Sequence, residues 1–390
     1  MLSITNEKIR KRWQGLAENA FPPKSKPRIW LHCASAGEYE QAIPVIEEIR
    51  NHLDVEICIS FFSPSGMEYY QLYAPTADFV FYLPFDTEND ADKLITALQP
   101  DTAIWIKYEL WYNILSAIRR NNIPLYLIHA DLRHLTSRKW PDKPIAIRAL
   151  TLFDHIFSIT QPVTGLSVPY ELSNDTKWRR AAVHPATFFE QETLSLFCGS
   201  SAVIVAGSTH PKDIELIAQY LRLYGSPGIK WIIVPHEVGK RSIDYIRKQL
   251  SPARISLFSN PDSSSGIIIT DKTGILKWLY RYADIAYIGG GFGKAVHNTL
   301  EAAAYRIPLI SGENISGIPE AETLAHAGVL HTVSDAEELN KQIRYWLEAD
   351  RSVLRQTCQQ LFEANSQDNV SPELIRMIRE RLFPNQALQL

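Results

Sequence analysis

The sequence has few cysteines and no long hydrophobic run. Its four cysteines, in a chain of 390 residues, are Cys33, Cys58, Cys198 and Cys358, and none of them forms a Cys-x-x-Cys pair. This spacing is typical neither of a disulfide framework nor of a zinc site, and it indicates a reducing cytoplasm. No apolar stretch approaches the roughly 18 residues that span a bilayer, and the first residues lack the layout of a signal peptide. We therefore expect neither a transmembrane segment nor a signal peptide.

The sequence also lacks a strong charge of either sign. Its formal net charge is -3, so no global field attracts a polyanion, and we expect no nucleic-acid partner. A phosphorylated ligand must therefore be held by local groups.

One local bias is present at the amino terminus. The first 28 residues contain seven Lys or Arg and two Glu, and Ile9, Trp13 and Leu16 recur at the i, i+4, i+7 spacing of a helix. A basic amphipathic helix is typical of a segment that rests on an anionic membrane. The alternative is a solvated helix that docks its apolar stripe on the domain.

The rest of the chain predicts two α/β domains. Hydrophobic residues make up 45% of the sequence, and the chain is long enough for two cores. From Arg28 onward, short apolar runs alternate with helical periodicity, which is typical of a parallel sheet with crossover helices. A stretch rich in Pro, Ser, Thr and Asn at residues 161–185 interrupts this alternation, and it restarts at Ala202. We expect a basic amino-terminal segment (1–27), a first Rossmann-like domain (28–198) and a second (199–390).

The predicted elements are as follows. Strands are expected at 29–33, 55–59, 79–83, 102–106, 124–128, 155–159, 202–206, 230–234, 266–270, 284–288 and 307–311, and helices at 89–98, 111–121, 335–349, 352–364 and 372–382. Two Rossmann-like domains facing a cleft make an α/β fold of the GT-B type, although other two-domain α/β enzymes share this alternation.

The first predicted strand leads into Cys33-Ala34-Ser35-Ala36-Gly37-Glu38 and then an amphipathic helix. Ligands of such folds bind outside the carboxyl ends of parallel strands, where a carboxylate can accept a proton from a sugar hydroxyl. Glu38 is therefore a candidate catalytic base. The alternative is a first-turn Glu that interacts only with the helix dipole.

Three segments of the second half are candidates for holding a phosphorylated ligand. The Gly207-Ser208-Thr209-His210 turn precedes a helix and could bind a phosphate or simply cap the helix. The glycines at 289–293 follow a strand, but their spacing is not that of a dinucleotide fingerprint. The segment from His297 to Ala304 reads as a helix, and its Glu301 could bind two ribose hydroxyls.

Taken together, these segments resemble the Kdo (3-deoxy-D-manno-octulosonic acid) transferases of lipopolysaccharide synthesis, in their Bacteroidetes-like variety. The matching stretches are WLHCASAGE at 30–38, FFSPSG at 61–66, YLPFD at 82–86, KYELWYN at 107–113, AGST at 206–209, PHE at 235–237, GGGFG at 289–293 and HNTLE at 297–301.

The resemblance implies an inverting transfer of Kdo from CMP-Kdo to the 6'-hydroxyl of a lipid A precursor, with Glu38 as the base. The implied partners are CMP-Kdo and the lipid A precursor, no cofactor or metal is expected, and the implied location is the cytoplasmic face of the inner membrane. The implied CMP contacts are Pro235, His236, Thr273, Gly274, Ile275, Asn298, Thr299, Leu300 and Glu301. The acceptor side is assigned to Glu109, Ser208, Thr209, Arg133 and Arg138.

The sequence departs from the family at several positions. His236 stands where the family commonly has Arg, Ile275 where it has an acidic residue, and Asp131 where many relatives have Arg. Arg133 and Arg138 are nearby candidates for an acceptor phosphate, or solvated surface charges. Most relatives also begin with a hydrophobic membrane anchor. None is expected from the residues given, either because the start was trimmed or because the basic amphipathic start replaces it.

Two other functions compete with this interpretation. A different GT-B enzyme, such as a UDP-sugar epimerase or another lipid-linked sugar transferase, shares the fold and the ribose-binding Glu. A degenerate relative that only binds lipid A would fit the altered positions 131, 236 and 275, but the presence of Glu38 and Glu301 argues against it.

Overall fold

The computed structural model describes residues 21–73, 76–136, 142–162, 166–186, 191–367 and 370–384. Its residues form two compact units, each built around its own sheet. Unit 1 comprises Met1–Arg180 together with Asn365–Leu390, and unit 2 comprises Ala181–Ala364. The amphipathic helix predicted around Ile9, Trp13 and Leu16 lies outside the described residues.

Unit 1 contains a seven-stranded parallel sheet in the order β3-β2-β1-β4-β5-β6-β7. The strands are β1 (Arg28–Cys33), β2 (Glu56–Phe61), β3 (Phe79–Tyr82), β4 (Thr102–Ile106), β5 (Leu125–Asp131), β6 (His155–Thr160) and β7 (Tyr170–Leu172). The helices are α1 (Ala36–His52), α2 (Pro64–Tyr73), α3 (Glu88–Leu98), α4 (Tyr112–Arg120), α5 (Leu132–Thr136), α6 (Asp142–Leu150) and α7 (Thr176–Ala182).

The alternation of side chains along β1 explains why its whole length is buried. Trp30 belongs to the core on one face of the sheet, whereas Ile29 and Leu31 belong to the core on the other face. Successive strand residues point to opposite faces, so the side chains on both faces of a central strand are buried when helices cover both sides of the sheet. On the first face, Trp30 contacts Trp105 of the neighbouring strand β4 edge to face, with ring centroids 4.8 Å apart.

The last helix of the chain, Ser371–Leu382, belongs to unit 1. Its buried residues Leu374, Ile375 and Ile378, together with Val370 directly before the helix, join the same core as Ile46 and Ile49 of α1. The expected second domain at 199–390 therefore differs from unit 2 at both ends. Apolar periodicity predicted this helix correctly, but it carries no information about which sheet the helix covers.

Unit 2 contains a second seven-stranded parallel sheet in the order β10-β11-β9-β8-β12-β13-β14. The strands are β8 (Ala202–Thr209), β9 (Ile229–Pro235), β10 (Ile255–Leu257), β11 (Ile267–Ile269), β12 (Ile285–Ile288), β13 (Leu309–Ser311) and β14 (Leu330–Thr332). The helices are α8 (Glu192–Cys198), α9 (Pro211–Tyr224), α10 (Lys240–Gln249), α11 (Leu276–Leu279), α12 (Leu300–Ala303), α13 (Pro319–His326), α14 (Ala336–Glu348) and α15 (Ser352–Asn365), and the helix that returns to unit 1 is α16.

The segment expected to be helical from His297 to Ala304 is a helix only at Leu300–Ala303. The backbone N–H of His297 donates instead to the carbonyl of Gly289, at 3.1 Å. The Asn298 side chain accepts a hydrogen bond of 3.0 Å from the N–H of Leu300, so the turn begins there. These contacts hold His297 and Asn298 in the loop after β12.

No helix within the described residues is both long and apolar enough to cross a lipid bilayer.

Candidate functional site

Glu38 lies in the first turn of α1, directly beyond the carboxyl end of β1. Its side chain is 8% exposed. The backbone N–H of Ala34 donates a hydrogen bond to the Glu38 carboxylate, and this contact turns the side chain back toward the strand end. The structure therefore places a buried, oriented carboxylate where the sequence predicted the base.

Burial raises the pKa of Glu38 from 4.5 to about 7. The hydrogen bond from Ala34 and the charge of Lys107 favour the ionised form and lower the pKa, whereas the charge of Glu109 raises it. Lys107 and Glu109 follow β4, the strand that pairs with β1, so two adjacent strand ends bring the three charges together. A carboxyl group with this pKa can both accept and release a proton near neutral pH.

A buried acid lies close to this group and was not predicted from the sequence. Asp175 accepts a hydrogen bond from the side chain of Gln41, three residues after Glu38 on α1. Burial alone would raise the pKa of Asp175, but the charges of Lys177, Lys107 and His129 lower it. Asp175 is therefore a buried carboxylate that shares Lys107 with Glu38.

His129 and Thr176 complete this buried network. The Thr176 hydroxyl lies 2.7 Å from the Gln41 carbonyl and 3.1 Å from Nε2 of His129. His129 has a φ of 54°, in the left-handed region, and its side chain is fully buried. The segments that contain His129 and Thr176 thus support the beginning of α1, where Glu38 lies.

Of the two arginines assigned to the acceptor side, the structure describes only Arg133. Arg133 is exposed on α5, and Arg138 lies outside the described residues. Asp131 is buried at the end of β5, where it accepts hydrogen bonds from the N–H of His134 at 2.9 Å and from the Thr160 hydroxyl at 2.6 Å. This departure from the family therefore caps α5 and ties it to β6.

Three histidines converge at the carboxyl edge of the unit 2 sheet. His210 follows β8, His236 follows β9 and His297 lies in the loop after β12. Their metal-binding ring atoms all lie within 4.8 Å of one another, and the Nε2 atoms of His210 and His297 are 2.8 Å apart. Because β9, β8 and β12 are neighbours in the sheet, three stretches distant in sequence meet at one point.

The three imidazoles influence one another's charge. Desolvation and the neighbouring His236 and His210 lower the pKa of His297 from 6.5 to about 4. Desolvation and His210 also lower the pKa of His236, against a smaller effect of Glu237. His236 and His297 therefore present unprotonated nitrogens at neutral pH. The three histidines belong to separate sequence motifs, so the cluster was not predicted from the sequence.

The end of β8, where the sequence predicted a turn at 207–210, is fixed by close backbone contacts. Ser208 has a φ of 51°, and Thr209 is buried with its hydroxyl 3.4 Å from the carbonyl of Val234. A Cβ atom at Gly289 would meet the Ser208 carbonyl oxygen at 2.4 Å, so only glycine fits there. The glycine at position 289 therefore allows the segment after β12 to pack closely against the end of β8.

The remaining predicted nucleotide contacts are spread over two loops of unit 2. The Asn298 side chain donates a hydrogen bond of 3.1 Å to the Glu301 carboxylate, and the Thr299 hydroxyl is buried with no hydrogen-bond partner in the described structure. Leu300 is buried at the start of α12. Thr273 and Gly274 are exposed before α11, and Gly274 has a φ of 77°. Pro235 is buried at the end of β9.

Comparison with known proteins finds sequence similarity to Kdo transferases. The profile described as 3-deoxy-D-manno-octulosonic-acid transferase (kdotransferase) matches residues 7–164. The 3-deoxy-D-manno-octulosonic acid transferase of Haemophilus influenzae is 25% identical over 383 residues, which cover 90% of this chain and 87% of that protein. The one of Chlamydia muridarum is 28% identical over 353 residues, covering 83% and 79%. The chain is similar to Kdo transferases over most of its length. The resemblance inferred from the sequence motifs is thereby confirmed.

Solved structures confirm the fold class. A putative UDP-N-acetylglucosamine 2-epimerase from Listeria monocytogenes is similar with a TM-score of 0.63 and 12% identity, covering 93% of this chain and 98% of that one. MurG from Acinetobacter baumannii is similar with a TM-score of 0.55 and 12% identity, covering 92% and 100%. Two parallel sheets with crossover helices and these neighbours make the chain an α/β protein of the GT-B type.

Proposed function

We propose that this chain transfers Kdo from CMP-Kdo to the 6'-hydroxyl of a lipid A precursor, with inversion at the anomeric carbon and with Glu38 as the base. The observation that carries the proposal is a buried carboxylate with a pKa of about 7 at the carboxyl edge of the unit 1 sheet, in a chain that is similar to Kdo transferases.

The chemical step requires one proton transfer and one displacement. The Glu38 carboxylate takes the proton of the acceptor hydroxyl, and the hydroxyl oxygen forms the new bond to the anomeric carbon of Kdo. The bond from that carbon to the phosphate oxygen breaks, and CMP leaves with the bonding electrons. Since the pKa of Glu38 is about 7, its carboxylate accepts a proton readily at the neutral pH of a cytoplasm.

We assign the nucleotide to unit 2. Glu301, held by Asn298, offers two carboxylate oxygens to the ribose hydroxyls, and the backbone around Thr273, Gly274 and Ile275 borders the nucleotide. CMP-Kdo carries a single phosphate, so local donors can neutralise it and the transfer proceeds without a metal requirement.

The proposal also includes the lipid acceptor and the membrane surface at which the enzyme works. A lipid A precursor lies in a membrane, so the enzyme must work at the membrane surface, and the basic segment at 1–27 is the candidate for contact with anionic lipid. Sedimentation with vesicles of anionic and of zwitterionic lipid at low salt tests this step. Equal recovery from both kinds of vesicle would reject the electrostatic contact.

The decisive experiment supplies the protein with CMP-Kdo, generated in the reaction by a CMP-Kdo synthetase, and a tetraacylated lipid A precursor. We expect the mass of the lipid to increase by that of one or more Kdo residues. A lipid of unchanged mass, with a known Kdo transferase active in the parallel reaction, would reject the proposal.

A UDP-sugar enzyme is the second candidate, because the solved proteins of similar fold include a putative UDP-N-acetylglucosamine 2-epimerase. The two functions differ in the nucleotide. We expect CMP to raise the melting temperature of the full chain and UDP to leave it unchanged. Stabilisation by UDP alone would favour the epimerase-like alternative.

A further inference from the structure

The histidine cluster formed by His210, His236 and His297 offers three nitrogen ligands at the surface of unit 2. Each residue belongs to a different stretch of chain, and the ring atoms that bind metals lie within 4.8 Å of one another. All three rings are nearly parallel in pairs, with interplanar angles of 14° to 30° and centroids 4.6 to 5.0 Å apart. We propose that this histidine cluster binds one Zn²⁺ ion.

The spacing of the nitrogens suits such an ion. Because a Zn–N bond is about 2.0–2.1 Å long, two ligand atoms of a tetrahedral zinc ion lie about 3.3 Å apart. The observed 2.8 Å between His210 and His297 is slightly shorter than this value, and the upper limit of 4.8 Å for the cluster is longer. Small side-chain rotations therefore bring all three nitrogens to bonding distance.

The contact between His210 and His297 is one that a zinc ion can replace. Two Nε2 atoms 2.8 Å apart share one proton, which one ring donates to the lone pair of the other. When that proton moves to Nδ1 of its own ring or to solvent, both nitrogens have a lone pair for a zinc ion. Imidazole nitrogens form a donor set that suits Zn²⁺, whereas Mg²⁺ and Ca²⁺ prefer oxygen ligands.

The backbone around the histidine cluster is fixed before any ion binds. Asp213 is buried and its carboxylate accepts hydrogen bonds from the N–H of His210 at 2.8 Å, from the N–H of Gly290 at 3.0 Å and from the hydroxyl of Tyr287 at 2.8 Å. The N–H of His236 donates to the carbonyl of Thr209 at 3.0 Å. Such supporting bonds hold metal ligands in place and reduce the entropy lost on binding.

Three protein ligands leave a fourth position open, as in catalytic rather than structural zinc sites. A cavity of about 260 Å³ lies beside His210 and His236 and is also lined by Glu237, Arg241 and Tyr245. Water or an oxygen of an anionic ligand can therefore complete the coordination of the ion. The inference does not rest on the proposed transfer of Kdo, because ion binding is measured without any sugar donor.

The test uses the full chain, treated with EDTA and then freed of the chelator, and titrates it with Zn²⁺ in a calorimeter. We expect saturable binding of one ion per chain, and Co²⁺ should produce the visible absorption bands of a tetrahedral site. His297→Ala and His297→Gln should each weaken Zn²⁺ binding at least about tenfold. Unchanged affinity in both variants would overturn the proposal.

Two controls separate loss of the ligand from loss of the fold. His326→Ala removes an exposed imidazole from α13 of the same unit, outside the histidine cluster, and should bind Zn²⁺ as the unmodified chain does. The melting temperature in EDTA shows whether each variant is folded, and Zn²⁺ should raise it only where the site is intact. Saturable binding of inorganic phosphate without any binding of Zn²⁺ would make the cluster an anion site and overturn the proposal.

Discussion

The carboxylate of Glu38 accepts a hydrogen bond from the backbone N–H of Ala34, four residues earlier in the chain. This bond stabilises the ionised carboxylate, but burial outweighs it and leaves the pKa of Glu38 at about 7. The position of the group and its proton affinity are therefore set by the same turn between β1 and α1.

Replacing Glu38 by Gln removes the proton acceptor while keeping a side chain of nearly the same shape. General base catalysis contributes roughly 10²–10⁴-fold to a rate, so we expect a loss of turnover of that size. Initial rates at saturating CMP-Kdo measure it. Affinity for CMP should be retained, because Glu38 belongs to unit 1. Glu47→Gln, an exposed position on the same helix, is the matched control, and equal rates in the two variants would exclude Glu38 as the base.

The pH dependence of turnover should report the Glu38 carboxyl. Since the base must be ionised, the rate should fall about tenfold per pH unit below about 7. Glu109→Gln removes a negative charge that raises the pKa of Glu38, so the midpoint of the profile should move to lower pH. A profile measured from pH 5 to 9 checks both statements. A midpoint that moves upward in this variant would contradict the electrostatic argument.

Glu38 should also make the protein less stable as the pH rises. Its pKa is 4.5 when exposed and about 7 in the folded chain, so the folded state binds the extra proton between these values. Stability from this group is full below pH 4.5 and is lost as the pH rises through 7. At pH 8 we expect Glu38→Gln to be more stable by up to about 3 kcal/mol.

The thermal midpoint of Glu38→Gln, compared with that of the unmodified chain at pH 4.5 and at pH 8, measures this difference. The two proteins should melt together at the lower pH, and the variant should melt at a higher temperature at the upper one. A lower midpoint for the variant at pH 8 would show that the ionised carboxylate is well stabilised by its neighbours.

Glu301 should matter for the nucleotide and not for the proton transfer. Its carboxylate is held by Asn298, and a charge-assisted hydrogen bond contributes about 1.5–3 kcal/mol, so Glu301→Gln should bind CMP roughly 10- to 100-fold more weakly. Calorimetric titration with CMP measures the affinity. Glu313→Gln, an exposed position in the same unit, should bind CMP normally, and an unchanged affinity in Glu301→Gln would remove this residue from the nucleotide site.

The glycine at 289 should be needed for folding. A Cβ atom there would lie 2.4 Å from the Ser208 carbonyl oxygen, and backbone atoms of two strand ends cannot yield easily. We expect Gly289→Ala to lower the free energy of unfolding by at least about 1–3 kcal/mol, as measured in urea. Gly266→Ala is the control, because nothing lies within 4 Å of its Cβ position. Equal stability of the two variants would show that the turn can relax.

The sequence predicted the central strands and the edge strand Phe79–Tyr82, and it missed the other three edge strands. Thr102–Ile106 was predicted residue for residue because a central strand of a parallel sheet is apolar on both faces. The strands Tyr170–Leu172, Ile255–Leu257 and Leu330–Thr332 were missed, since three residues are too few for a pattern. Edge strands depend on a neighbour that only the folded sheet provides.

The candidate site shows the same division between local and tertiary information. Glu38 was predicted from its own turn and from the family motifs around it. Asp175 was not predicted, because its contact with Gln41 joins residues 134 positions apart in a stretch that matches the family poorly. The histidine cluster was missed for a similar reason, since the order of strands β9, β8 and β12 brings its members together.

The return of α16 to unit 1 has a consequence for synthesis on the ribosome. Unit 2 is one continuous stretch, Ala181–Ala364, and can complete its core as soon as it has emerged. Unit 1 emerges first, but its core lacks Val370, Leu374, Ile375 and Ile378 until these residues are translated. The apolar surface of unit 1 that they cover therefore stays exposed while unit 2 is synthesised, and a chaperone can be expected to shield it during that interval.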